Sequence, residues 1–201
     1  MVRNWKEYLL PYHQTVDELL VKLNSLKQQF AICDQHNPIQ TVTGRVKSVP
    51  SIKEKMRRRY ISPDRLSQDM EDIAGVRIIC PLIDDVYFLV DLLRQRTDMK
   101  VVEERDYIKH QKASGYRSYH MVFNYTVQTI HGPRSLLFEI QLRTMAMDFW
   151  STVDHALHYK HEGKFPVELE KKLQDTARVS FDLDESMSKI KHALMRIKNK
   201  K

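Results

Sequence analysis

The sequence predicts an α+β fold: a single-domain mixed β-sheet flanked by helices, with long N- and C-terminal helices. Three observations predict it. Helix-period and strand-period segments alternate through the middle of the chain, and each end carries an amphipathic repeat of threes and fours. No internal repeat, low-complexity tract or long linker divides the 201 residues, so residues 1–201 read as one domain around one core.

Residues 2–32 read as a helix, interrupted or restarted near Pro11, because Val16, Leu19, Leu23, Leu26 and Phe30 form one apolar seam. Leu183, Met187, Ile190, Leu194 and Ile197 repeat that spacing in C-terminal helices expected over about 166–198. Either seam could pack on its own domain, the default for an amphipathic helix, but two such seams on a small chain favour self-association. Between them, 42–47 is expected as a strand, 51–59 and 64–70 as helices, and 75–80 as a buried strand. Asp84 or Asp85 is expected to cap a helix carrying Val86, Leu89, Val90 and Leu93 on one face. Strands follow at 101–108, 119–127 and 135–142, the last two joined by a turn at His131, Gly132 and Pro133. A helix over 144–162 is stopped at Gly163.

Composition narrows the class of function. A 42% hydrophobic and 29% charged chain is that of a soluble globular protein, and no run is long and apolar enough for a membrane span. Two cysteines, Cys33 and Cys80, show no pairing pattern, which points to a reduced, cytoplasmic protein. A net charge of +7 points to an anionic partner without naming it.

Four segments carry candidate chemistry. In the first, Arg45 and Lys47 alternate on a strand, and Ser51, Lys55 and Arg58 share one face of the next helix, with Ile52 and Met56 on the adjoining face. A helix N-terminus with a serine and two cations suits phosphate; a solvated basic helix or an RNA-binding strip fits the same residues. In the second, Asp72 precedes an apolar strand that Arg77 interrupts, which reads either as an internal Asp72–Arg77 ion pair or as a cleft. The third is the loop 109–120, where Ser114 and Gly115 give Tyr116 freedom beside Lys112, Arg117 and His120. A flat ring among cations suits a base and its phosphates; an exposed connection is the plainer reading. In the fourth, Leu136, Phe138, Ile140 and Leu142 alternate with Leu137, Glu139, Gln141 and Arg143, so Glu139 matters only if Asp72 faces it. If it does, the two carboxylates suit Mg²⁺, which takes one or two protein carboxylates plus phosphate oxygens.

Taken together, Gly44-Arg-Val-Lys-Ser with Ser51 and Lys55, Asp72-Ile-Ala-Gly-Val-Arg77, Ala113-Ser-Gly-Tyr-Arg-Ser-Tyr-His120 and Glu139-Ile-Gln-Leu-Arg-Thr144 resemble the RelA/SpoT alarmone synthetases. The length and the opening from Trp5 to Tyr12 resemble the single-domain, RelQ-like small synthetases. The resemblance implies a nucleotidyltransferase-like sheet, a homotetramer, and Mg²⁺-dependent transfer of pyrophosphate from ATP to the 3′-hydroxyl of GDP or GTP. By position it implies Arg45 and Arg77 around adenine, and Lys47, Ser51, Lys55 and Arg58 on the ATP phosphates. It likewise implies Asp72 and Glu139 on the metal, with Glu139 as a candidate base, and Lys112, Tyr116, His120 and Gln141 around the acceptor.

The resemblance also implies stimulation by the pentaphosphate product, in a cleft that has an aromatic where this chain has Thr41 and an asparagine where it has Asp148. Those departures predict weak or absent stimulation. A basic RNA-binding oligomer and a catalytically silent homologue are the rival readings, and single-stranded RNA is also conceivable as a regulator of the enzyme. His155, His158 and His161 have a spacing at which zinc is conceivable, but no cysteine or carboxylate set completes a site. Phe149 and Trp150 are expected in the core.

Overall fold

The computed structural model describes residues 4–33, 35–161, 163 and 165–198. The expected helix positions 2, 3 and 162 lie outside them. The element order is α1 (Trp5–Ile32), β1 (Thr41–Val46), α2 (Val49–Arg59), α3 (Leu66–Asp69), β2 (Ala74–Cys80), α4 (Ile83–Arg94), β3 (Lys100–Asp106), β4 (Tyr119–Thr129), β5 (Gly132–Thr144), α5 (Met145–Lys160) and α6 (Val167–Lys198). The sheet order is β1-β2-β5-β4-β3; β2 and β5 run parallel and every other pair is antiparallel. This is the expected mixed sheet with a long helix at each end.

Register sorts the strands into two faces. Val76 lies opposite Ile140, Ile78 opposite Leu142, and Phe123 opposite Phe138, so these side chains share the apolar face. There α1 and α4 close the core with Val16, Leu19, Leu23, Val86, Leu89 and Leu93, all buried. Helix α1 approaches β1 so closely that a Cβ on Gly44 would meet Val16 Cγ1 at 2.6 Å. Glycine at 44 is therefore demanded by packing, one position before Arg45 turns to the other face.

The N-terminal seam is consumed inside the fold, since Val16, Leu19, Leu23 and Phe30 are buried in this chain's own core. It is not an open stripe for another copy. The C-terminal seam differs: Leu183, Met187, Ile190, Leu194 and Ile197 are each about half exposed.

Neither Asp84 nor Asp85 caps α4, whose N-cap is Leu82. Both aspartates sit in its first turn and tether other elements: Asp85 pairs with Lys191 at 3.1 Å and His36 at 2.7 Å, and Asp84 with His192 at 2.8 Å. The hairpin turn spans Thr129 to Gly132, which leaves Pro133 inside β5. Trp150 is buried as expected, whereas Phe149 is exposed on the outer side of α5. Among the described residues no helix is long and apolar enough to cross a membrane.

Candidate active site

The polar face of the sheet carries the site. Arg45 lies opposite Gly75, Thr43 opposite Arg77, Gly75 opposite Glu139, Arg77 opposite Gln141, and Gln141 opposite His120. Four strands thus deliver the residues of four distant motifs to one surface. Arg45, Lys47, Asp72, Arg77, Glu139 and Gln141 line a single pocket with Thr43, Gly44, Gly75 and Val76.

A second pocket adjoins it through Arg45 and Lys47 and adds Ser51, Lys55 and Arg58 from α2. Ile52 is buried and Met56 partly so, which seats α2 and turns its cations outward into that space. Ser48 caps the helix, accepting from the Ser51 amide, and its hydroxyl donates to Ser51 Oγ at 2.9 Å. The N-terminus of α2 therefore opens onto a cationic pocket, a favourable place for phosphate. His155 and Tyr159 of α5 complete the lining.

Asp72 lines the first pocket and reaches toward the second through Lys55. It pairs with Lys55 at 2.8 Å and Lys47 at 3.0 Å, not with Arg77, so of the two sequence readings the cleft holds and the local ion pair does not form. Arg77 instead reaches Asp148 at 3.1 Å, because the pleat of β2 turns it toward α5. Burial alone would raise the Asp72 carboxyl, but the two ammonium groups outweigh it and hold it below the ordinary range.

Glu139 is buried. It accepts from His120 Nδ1 at 2.8 Å and from Gln141 Nε2 at 2.7 Å. Burial again pushes up and is outweighed by these partners, so its carboxyl too is held low. Asp72 and Glu139 line the same pocket, and the charge of Asp72 is felt at Glu139.

The acceptor candidates form a closed hydrogen-bond circuit. His120 Nε2 meets the Tyr116 hydroxyl at 2.8 Å, Arg143 donates to that hydroxyl at 2.6 Å and to Gln141 Oε1 at 3.0 Å, and Gln141 returns to Glu139. A carboxylate only accepts, so His120 Nδ1 donates to Glu139, and in the Nδ1–H tautomer Nε2 accepts a hydrogen bond from the Tyr116 hydroxyl. Lys112 Nζ stands 5.0 Å from the Tyr116 ring centroid and 4.5 Å from that of Tyr107, and burial lowers its ammonium pKa. In this conformation Tyr116 is held by its hydroxyl rather than swung free.

All twelve predicted site residues thus fall around this polar face and its flanking pockets. Sequence reasoning gave no role to Arg143 or Tyr159, weighed Asp148 only for the product cleft, and weighed His155 only for zinc. Arg143 stands on the polar side of the β5 alternation, and that was the available signal; α5 is brought over the site only by tertiary packing.

Two carboxylates facing one pocket suit Mg²⁺ better than a metal that needs a full protein cage. Asp72 Oδ1 is buried without a hydrogen bond of good angle, although Lys55 Nζ is near, so it retains acceptor capacity. Among the described residues no group of three or more histidine, cysteine or acidic side chains is placed to hold a metal. His158 instead bridges to Glu170 of α6 at 3.1 Å.

Fold and site together define a two-substrate transferase acting on nucleotide phosphates. Residues 44–164 match the family model described as a region found in RelA/SpoT proteins. The chain is 46% identical to the GTP pyrophosphokinase YjbM of Bacillus subtilis over 94% of its own length and 89% of that protein. It superposes with a TM-score of 0.91 on a GTP pyrophosphokinase family protein from Streptococcus pneumoniae, at 50% identity, covering 98% of this chain and 97% of the other. The B. subtilis small alarmone synthetase 1 bound to its product pppGpp superposes equally well, with a TM-score of 0.91, 46% identity and coverage of 94% and 97%. The chain belongs to the RelA/SpoT family, in its RelQ-like branch of small alarmone synthetases.

Proposed function

We propose that the chain is a (p)ppGpp synthetase that moves the β,γ-pyrophosphate of ATP to the 3′-hydroxyl of GDP or GTP. The carrying observation is Asp72 and Glu139 lining one pocket, between the cations of β1 and α2 and the Tyr116–His120 circuit. In this reading the acceptor oxygen bonds to the β-phosphorus, the bond from that phosphorus to the bridging oxygen breaks, and AMP leaves with it. The acceptor hydroxyl loses its proton.

Arg45 and Arg77, diagonal neighbours across β1 and β2, take the adenine between their guanidinium planes. Lys47, Ser51, Lys55 and Arg58 hold the phosphates, with His155 and Tyr159 closing the far wall. Tyr116 stacks on guanine, while Lys112, His120 and Gln141 orient the acceptor. Asp72 and Glu139 would hold Mg²⁺, which when bound neutralises phosphate charge and acidifies the acceptor hydroxyl. Glu139 is also the candidate base, a weak one because two donors already hold its charge. Most of the rate then comes from positioning and charge neutralisation.

The half-exposed seam of α6 supports assembly into the homotetramer expected of this branch. Asp148 spends its carboxylate on Arg77 at 3.1 Å and Arg143 at 3.3 Å, and Thr41 offers no ring, so product stimulation is expected to be weak or absent. A sharp rise in initial rate on adding pppGpp would contradict that. The deciding experiment mixes the protein with γ-labelled ATP, GDP and Mg²⁺. Label on a guanosine tetraphosphate is expected, and its absence would overturn the assignment.

A further inference from the structure

The loop that presents Tyr116 is laid on the C-terminal helix. Gly115 has φ of +90°, and a Cβ there would meet Ala177 Cβ at 2.6 Å, so its backbone rests directly against α6. The next side chain but one, Arg117, turns to the same helix: its guanidinium carbon sits 3.8 Å from the Phe181 ring centroid. Arg117 Nη1 also donates to the Ile108 carbonyl at the other end of the loop. Its Nε is buried without a hydrogen-bond partner, and the charges of Asp182 and Glu185 on the same helix act on the guanidinium.

Tyr116 lies between these two anchors. Its backbone is bracketed by the Lys112 amide donating to the Tyr116 carbonyl at 3.2 Å and the Gly115 amide donating to the Lys112 carbonyl at 2.8 Å. Adjacent residues on an extended chain point to opposite sides. Seating Arg117 on α6 therefore aims Tyr116 the other way, toward His120 and Arg143. Arg117 makes no contact with the acid pair or with the cations of α2.

We propose that Arg117 and Phe181 are a positioning pair through which α6 sets the Tyr116 ring for the acceptor nucleotide. This rests on the reading of Tyr116 as the acceptor's stacking residue. Removing the ring beneath Arg117 lets the loop rotate and weakens acceptor binding, while the donor pocket, built on β1, α2 and α5, is untouched.

The test is steady-state kinetics of Phe181→Leu and Arg117→Lys with each substrate varied in turn. The leucine keeps apolar volume without a π face, and the lysine keeps charge without a planar fork. Both are expected to raise the KM for GDP about tenfold, the scale of a desolvated cation–π contact, with the KM for ATP within about twofold of wild type. Phe181→Tyr, which keeps the ring, is expected to restore the wild-type value. A fall in kcat with both KM values unchanged would mean that the pair only supports the fold, and would overturn the proposal. So would equal rises for donor and acceptor. Wild-type protein that makes no product would overturn the transferase assignment itself, a result separable from either.

Discussion

Arg143 donates a 2.6 Å hydrogen bond to the Tyr116 hydroxyl, and its guanidinium carbon lies 5.0 Å from that ring's centroid. The arginine is buried on β5, two residues beyond Gln141, and also reaches Asp148 and Ser151 of α5. It thus joins the acceptor loop to the start of α5. Arg143→Lys retains charge but cannot fork between these partners. Stability should fall by about 1–3 kcal/mol, the cost of buried acceptors left unpaired. The KM for GDP should rise while ATP binding persists. Calorimetric titration of a non-hydrolysable ATP analogue beside acceptor kinetics checks this, and loss of both affinities together would refute it.

Glu139→Gln should abolish turnover and leave ATP binding largely intact, since the donor cations do not depend on it. Removing the charge also deprives His120 of its carboxylate partner, 2.8 Å away. Substantial residual turnover would rule out both proposed roles of this side chain.

Asp72→Asn separates metal holding from phosphate holding. In the free chain the aspartate occupies Lys47 and Lys55. Neutralising it frees two ammonium groups, so ATP affinity without metal should be unchanged or tighter although activity is lost. Weaker metal-free binding would show that Asp72 organises those lysines rather than competing for them.

Asp184 of α6 is 5% exposed, and burial pushes its carboxyl up to about 6, against the pull of the Thr144 hydroxyl that donates to it. The folded chain therefore keeps this proton between 3.8, the ordinary value, and about 6, where the unfolded chain has released it. Stability from this group is fully present below that window and is lost as pH rises through it. The difference corresponds to roughly 3 kcal/mol at most. Asp184→Asn should accordingly raise Tm at pH 7.5 and match wild type near pH 4. A Tm difference that does not change with pH would refute the assignment.

Strand alternation made much of this site legible. The pattern Leu136, Phe138, Ile140, Leu142 assigned Glu139, Gln141 and Arg143 to one face, and the register agrees. Helical spacing likewise grouped Ser51, Lys55 and Arg58, which share a pocket. Alternation gives a side but not a partner. Asp72 and Arg77 are near in sequence yet pair with α2 and α5 respectively, because the turn before β2 carries one away and the pleat the other. His155 and Tyr159 were not legible for the same reason: only packing brings α5 over α2. The N-terminal seam packs on its own domain; its periodicity reports burial without saying whose surface does the burying.

Parallel pairing of β2 with β5 sets Gly75 against Glu139 and Val76 against Ile140. One residue added to or deleted from the middle of β5 would exchange these faces, driving a carboxylate into the hydrocarbon interior and stranding an isoleucine among phosphates. The same edit at the hairpin tip, Ile130 and His131, changes only the length of an exposed connection. The chain is thus expected to be intolerant of length change at its centre and permissive some ten residues away, a contrast that a scan of single-codon deletions would display directly.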